Sequence, residues 1–286
     1  MLDQAERLRE LAYGNKGRNK PRIITITSGK GGVGKSNFVV NLAISLRLMG
    51  KKVMIFDADI GMGNDDILMG CNARYNVFDV ILNNKDIREV IVEGPLGVKL
   101  LPGGSGLNNV EDLKEEERRE FLNKLESLED LDFILMDTGA GINRSVLAFI
   151  SASDDTIVIT NPEPTALTDA YSLIKAINHF DLKSEVNLIV NRIMDEEEGK
   201  LTFRKFHGAV NRFLNINIKL LGFIWEDRRV MMSVRDQKPF IMKYPNCHAS
   251  LDIKAIAKSI LNNGARENNK GSGMKEVFKK IFNIFS

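Results

Sequence analysis

The stretch Ser28-Gly29-Lys30-Gly31-Gly32-Val33-Gly34-Lys35-Ser36 limits the fold more than any other part of the chain. It follows the apolar, β-branched run Ile23-Ile24-Thr25-Ile26-Thr27, which reads as a buried strand. It precedes Asn37 to Met49, where Val40, Ala43, Ile44, Leu46 and Leu48 form a helical pattern. Strand, glycine loop and helix in that order make an anion cradle. The glycines bring backbone N–H groups against the ligand, and the helix N-terminus adds partial positive charge. Two motifs overlap in this loop. Gly29, Gly31 and Gly34 satisfy the dinucleotide pattern G-x-G-x-x-G, with Asp57 at the end of the next strand as a candidate ribose acid. Gly29, Gly34, Lys35 and Ser36 satisfy G-x-x-x-x-G-K-[ST]. Only the second pattern has a use for the Lys-Ser pair: Lys35 neutralises β/γ-phosphate oxygens and Ser36 holds Mg²⁺. The whole loop from Gly29 through Lys30, Gly31, Gly32, Val33, Gly34, Lys35 and Ser36 to Asn37 is therefore the candidate triphosphate cradle. A glycine turn of purely structural use is the plain alternative.

At 286 residues the chain has room for one large α/β domain with appendages. Forty Lys and Arg against 38 Asp and Glu give no overall case for a nucleic-acid protein. Cys71 and Cys247 stand far apart, which argues against a zinc site or a disulfide framework and fits a reducing cytosol. The polar start is unlike a secretory signal, and no run of about 20 apolar residues offers a membrane span.

Further acids stand where a triphosphate site needs them. Lys52 to Asp57 reads as a second buried strand, followed by Ala58-Asp59-Ile60-Gly61-Met62-Gly63-Asn64. Asp59 is placed to orient the attacking water or to bind the metal's water shell, with an Asx-type turn as the alternative. Phe133 to Asp137 reads as a third central strand ending in an acid that suits Mg²⁺, before Thr138-Gly139-Ala140-Gly141. Residues 76–82 read as a helical turn and 98–102 as a strand, and 111–128 read as a charged helix with an exposed face. Strands are expected at 156–160, 186–190 and 220–224. Helices are expected after Thr165 or Thr168 (one of them the cap) to Phe180, at 200–214 and at 250–261. Alternation of this kind predicts a three-layer α/β fold, a mostly parallel sheet with helices on both faces.

Two appendages flank this expected core of residues 22–262. Residues 1–14 read as a short amphipathic helix, joined by a basic linker at 15–21. Residues 263–273 read as a polar tether. Beyond it Met274, Val277, Phe278, Ile281, Phe282 and Phe285 form a helical stripe with Lys275, Lys279 and Lys280 opposite. This helix, about 18 Å long, is too short to cross a bilayer and suits the headgroup plane. Packing on its own domain or on a partner is the alternative. One such helix binds weakly, and two held together bind far more tightly.

Lys30 narrows the reading, because the plain motif does not require a second lysine early in the loop. Lys-Gly-Gly-Val-Gly-Lys-Ser resembles the deviant Walker A loop of the MinD/ParA class of P-loop ATPases. The resemblance implies ATP/ADP and Mg²⁺, with Ser36, Asp59 and Asp137 around the metal. It also implies an ATP-bound homodimer in which Lys30 of each copy reaches the other's nucleotide, and slow hydrolysis served by Lys30, Lys35 and Asp59. Asp57 to Gly61 resembles the first switch segment and Asp137 to Gly141 the second, while Val190-Asn191-Arg192 and Gly222 to Asp227 resemble the two adenine-side loops. Asn191, Arg192, Trp225, Glu226 and Asp227 are the candidate base-side residues. Gly139 and Trp225 depart from the usual prolines. The terminal helix resembles the MinD membrane-targeting helix, which implies shuttling between the cytoplasm and the anionic inner face of the cell membrane. Asp3-Gln4-Ala5-Glu6-Arg7-Leu8-Arg9 is similar to the opening segment of the FlhG (FleN, YlxH) family of flagellar-number regulators. That implies an SRP-type GTPase partner, FlhF, touched by Asp3, Gln4, Ala5, Leu8 and Arg9. Flagellar switch components or a flagellar transcription regulator are further partners implied. A MinD-like division-site regulator and a ParA-like DNA-segregation ATPase are the alternatives. A non-hydrolysing scaffold also stands, while a metal-cluster or arsenite relative lacks its paired cysteines.

Overall fold

The expected first strand lies inside an eight-stranded sheet, as β1 (Arg22–Ser28), flanked by β5 (Phe133–Ala140) and β6 (Asp155–Thr160). The computed structural model describes residues 20–59, 63–83, 85–104, 114–125, 130–264 and 273–285. The expected N-terminal helix with Asp3, Gln4, Ala5, Leu8 and Arg9 lies outside them. So do most of the basic linker, Ile60-Gly61-Met62 and most of the polar tether.

The strand order is β3-β4-β2-β5-β1-β6-β7-β8. Here β2 is Val53–Ala58, β3 Val92–Glu93, β4 Lys99–Pro102, β7 Glu185–Ile193 and β8 Asn217–Trp225. Every pairing is parallel except the short β3–β4 edge. The central strands are buried nearly end to end, because helices cover both faces. One face carries α1 (Lys35–Leu48), with α10 (Phe240–Lys243) and α11 (His248–Gly264) beside it. The short α2 (Asp65–Met69) and α9 (Arg228–Arg235) complete the rim of this side. The other face carries α3 (Val77–Leu82), α4 (Ile87–Val90), α5 (Glu115–Leu125) and α6 (Arg144–Ala152). It continues through α7 (Pro164–His179) and α8 (Glu196–Phe213) to the sheet's other end.

Several boundaries differ from the sequence reading. Strand β5 runs past Asp137 to Ala140, because it stays paired with β1 as far as Ser28. Strand β7 continues through Asn191 and Arg192 to Ile193, with a register shift and a positive φ of 59° at Arg192. Neither Thr165 nor Thr168 caps α7. Pro164 opens that helix and Glu163 occupies the cap position without a side-chain bond. Proline's fixed φ and missing N–H suit the first helical position, so the start moves ahead of both threonines. Helix α8 begins at Glu196, ahead of the expected Lys200, because Asp195 Oδ1 accepts the Glu198 N–H and three glutamates fill the first turn. Helix α6 was not anticipated. It is buried on two sides, Ala148 and Phe149 toward one cluster and Val146 and Ile150 toward another, so it lacks a one-sided apolar stripe.

The largest difference concerns the terminal helix, α12 (Gly273–Phe285). Its stripe, read as membrane-facing, lies against the chain's own core: Met274, Val277, Phe278, Ile281 and Phe282 are all buried. Phe278 packs edge-on to Phe56 at 5.4 Å and to Phe121 at 4.9 Å between ring centroids. Arg118 stands over the Phe282 ring, Arg144 donates to the Ile284 carbonyl, and Lys20 pairs with Glu276. Three facing elements, α5, α6 and β2, thus supply a groove that a short aromatic helix fills. In this arrangement the described part of that stripe, Met274 to Phe282, faces the core, and these residues meet a bilayer only if the helix leaves the groove.

Candidate active site

The loop between β1 and α1 is shaped by its neighbours. A side chain at Gly29 would collide with the Asp169 backbone, 2.2 Å from where its Cβ would stand. Gly34, at φ 95°, would meet the Asn191 amide at 2.4 Å. A Cβ added at Gly31 or Gly32 would meet nothing within 4 Å beyond the adjoining residues, and that part of the loop opens onto a cavity of about 450 Å³. Ser28, Lys35, Ser36, Asn37, Asp59 and Ala140 also line it. Helix α1 starts there with Gly34 as its cap, no side-chain acceptor and no acid in the first turn. Its unpaired N–H groups and partial positive charge are left for an anion.

Strand register brings the acids together. Asp57 on β2 and Asp137 on β5 are direct partners at the carboxyl ends of the strands. Lys35 Nζ donates to Asp137 Oδ1 at 2.5 Å, with both side chains buried. Asp65, the first residue of α2, is fully buried, and its carboxyl lies against that of Asp137 with no N–H donor on either oxygen. Burial and the Asp137 charge push the Asp57 carboxyl up to about 7, against the Asp59 and Asp65 backbone N–H groups that hold it down. Burial raises Asp137 too, opposed by Lys35 and by the Ser36 hydroxyl. Asp65 is raised well above the ordinary range by burial, then by Asp137 and Asp57. Three buried carboxyls thus share one ammonium group, an imbalance that a divalent cation corrects.

That imbalance is the test of whether Mg²⁺ and a nucleotide fit, and they do. Among the described residues no three acidic, histidine or cysteine side chains form a metal cage by themselves. Mg²⁺ takes one or two protein groups and completes its shell with water and phosphate oxygens. Ser36 and Asp137 are adjacent at the cradle. Asp59 sits at the cavity wall, its N–H donating to Asp57 Oδ1 at 3.2 Å. Its carboxylate lies 3.2 Å from where a Cβ on Gly139 would stand. Gly139 therefore lets the end of β5 approach the segment after β2 closely.

The base-side candidates divide into two groups. Asn191 Nδ2 donates to the Val33 carbonyl at 2.7 Å and so joins the cradle directly. Arg192 Nε donates to Glu226 at 2.7 Å, which ties the two expected adenine-side loops together at the surface. The Trp225 ring stacks on His248, and the Trp225 backbone N–H donates to Asp252 Oδ2 at 3.0 Å. Asp227 caps α9 and holds the Arg229 guanidinium through both carboxylate oxygens, which keeps its carboxyl below the usual range. Lys30 lies outside the cradle, donating to Glu163 Oε2 at 3.1 Å and Thr165 Oγ1 at 2.8 Å. Asp65, Glu163 and the role of Thr165 were missed from sequence. An acid beginning a five-residue helix gives no pattern that distinguishes it from an ordinary first-turn acid.

Comparison with known proteins agrees with this geometry. The family described as AAA domain matches residues 21–190. The antiactivator FleN of Pseudomonas aeruginosa is 35% identical over 84% of this chain and 86% of its own length. The flagellum site-determining protein YlxH of Helicobacter pylori is 38% identical over 98% of both chains. Among solved structures, the septum site-determining protein MinD of Pyrococcus horikoshii, complexed with Mg-ADP, superposes with a TM-score of 0.68 at 24% identity. That match covers 87% of this chain and 100% of the other.

Proposed function

The chain belongs to the MinD/ParA class of P-loop ATPases, in the group that contains FleN and YlxH, and from that premise we propose that it is an ATP-driven switch setting flagellar number or placement. It uses ATP or ADP with Mg²⁺ and acts as an ATPase. Lys35, which donates to Asp137 here, would neutralise β/γ-phosphate oxygens, and Ser36 and Asp137 would hold the metal. Mg²⁺ supplies charge neutralisation there. Asp59 orients water, and Asn191 with the Arg192–Glu226 pair borders the base. Two copies close on ATP, with Lys30 of each directed at the other's phosphates.

One observation carries the switch: Phe278 of α12 rests on Phe56, and the next residue on the same strand is Asp57 of the nucleotide site. A change in the switch segment that shifts the end of β2 alters the floor of the groove. In this reading the monomer stores α12 in the groove and the ATP dimer presents two such helices to an anionic membrane. The cytoplasm and the inner membrane face are then its two locations. Sedimentation with anionic vesicles tests it. Wild type should pellet with Mg-ATP and remain in solution with Mg-ADP, and Phe278→Glu should remain in solution with both while binding nucleotide normally. Pelleting of Phe278→Glu at the wild-type level would refute membrane attachment through α12.

The partner reading rests on residues 1–14 and their similarity to the FlhG opening segment. Asp3, Gln4, Ala5, Leu8 and Arg9 contact an SRP-type GTPase, FlhF, and stimulate it. Deleting residues 1–14 should leave ATP-driven dimerisation intact and remove the stimulation. Retained stimulation would move the contact elsewhere.

A further inference from the structure

The corner that leads from β6 into α7 has the sequence Asn161-Pro162-Glu163-Pro164-Thr165. It is stiff for identifiable reasons. Pro162 and Pro164 fix φ on either side of Glu163, and the Glu163 N–H donates to Asn161 Oδ1 at 3.2 Å. Asn161 is itself buried, and Ala166 anchors the first turn of α7 in the core. Two side chains project from this corner onto Lys30: the Glu163 carboxylate and the Thr165 hydroxyl, 3.1 and 2.8 Å from Nζ.

The arrangement faces outward. Lys30 retains 38% and Glu163 54% of their side-chain exposure, whereas Lys35 of the same loop retains 8%. The two lysines, five residues apart, are thus kept to opposite tasks. Lys35 is directed into the chain's own carboxylates, and Lys30 is drawn away from its own cradle. A free lysine carries about 2 kcal/mol of rotamer entropy that any productive contact must overcome. A clamp that limits this freedom in advance favours association without adding a contact to the partner.

We infer that Glu163 and Thr165 are positioning residues: they hold Lys30 outside its own cradle and aim it at the nucleotide of a second copy of this chain. This rests on the dimer reading given above. The rigid corner supports aiming over simple sequestration, since a parking site would not need its two acceptors fixed by two prolines and a buried asparagine.

The test measures dimer formation by light scattering with Mg²⁺ and the non-hydrolysable analogue β,γ-imido-ATP, beside ADP affinity of the dilute monomer. Each clamp is an exposed ion pair and hydrogen bond, worth about threefold per copy. The double variant Glu163→Gln, Thr165→Ala should therefore need about tenfold more protein for half-dimerisation, because both sites in the dimer lose their clamp. Its ADP affinity should stay within about twofold of wild type. Thr165→Ser keeps the hydroxyl and should dimerise as wild type does, a rescue that a merely structural role would not give. Lys30→Ala separates the two layers of the argument. If Lys30→Ala fails to dimerise while the double variant dimerises normally, the positioning role is wrong and the dimer reading stands. If the double variant dimerises more readily, the corner restrains Lys30 and the inference is overturned. If Lys30→Ala dimerises like wild type, the dimer reading falls and this inference with it.

Discussion

Phe56 and Asp57 are consecutive on β2, yet they enter interiors of opposite kinds. Phe56 sits in an aromatic cluster with Phe149 and Phe278, rings 5.4 to 5.8 Å apart and edge-on. Asp57 sits among Asp65, Asp137 and Lys35, where charge is unbalanced and Asp65 lies against the Asp137 carboxyl. The aromatic cluster is complete within one chain, and each of its contacts is satisfied as it stands. The carboxylate cluster is incomplete, and ligand binding improves it. A strand has two faces, so one element can serve both. The consequence is that the stable region and the responsive region share a backbone.

The largest effect expected from this contrast comes from Lys35→Ala. It removes the sole ammonium among three buried carboxyls and should cost about 3–5 kcal/mol near pH 7, with nucleotide binding lost. The pH dependence has a definite sign. The folded-state carboxyl of Asp57 lies at about 7, above its ordinary value of 3.8. Within that window the folded chain holds a proton that the unfolded chain has released, so stability falls as pH rises toward 7 and returns as pH falls. In Lys35→Ala the window should widen, and the variant should recover much of its loss between pH 7 and about 4. Urea denaturation across that range checks it. A cost that does not change with pH would mean that the three acids are not the source.

A smaller effect belongs to the aromatic region. Phe278→Glu cannot cost what a charge in a sealed core would, because α12 can leave the groove. The loss is limited to the docking free energy, about 2–3 kcal/mol for a phenylalanine and its neighbours. Hydrogen exchange should show faster exchange throughout α12, with β1 and β5 unchanged. Loss of protection across the whole sheet would show that the groove and the sheet are one cooperative unit, which would remove the contrast drawn between Phe56 and Asp57.

How much of this was legible in the sequence follows the same division. The cradle from Gly29 to Ser36, the acids at Asp59 and Asp137, and the parallel sheet were all readable. Each depends on local spacing or on a strand with both faces buried. The apolar stripe of α12 was also readable, but not the surface it covers: periodicity records that a helix has a dry face, and the groove is made by Phe56, Phe121 and Phe149 from three distant segments. Asp65 and Glu163 were silent for a related reason. Their importance lies in register and in a rigid corner, which bring together residues 65 and 137, or 30 and 163, with no trace in local pattern.

The smallest predicted effect joins the two regions. Arg144 opens α6, separated by Ile142 and Asn143 from the segment Thr138 to Gly141, and its guanidinium donates to the Ile284 carbonyl in the last turn of α12. The end of a helix leaves carbonyls without partners, and a cation there meets both a hydrogen-bond need and the negative end of the dipole. Arg144→Ala should therefore cost about 1 kcal/mol or less, because water can replace the guanidinium at an exposed carbonyl. Its signature should be local: faster exchange in the last turn of α12, with Met274 and Val277 still protected. Vesicle sedimentation should extend to Mg-ADP by a small fraction, since the docked state is weakened only at its end. If the last turn exchanges as in wild type, the second switch segment has no hold on α12 through this residue. Communication from nucleotide to helix would then run through the packed face, with Phe56 beside Asp57 as its nearest contact.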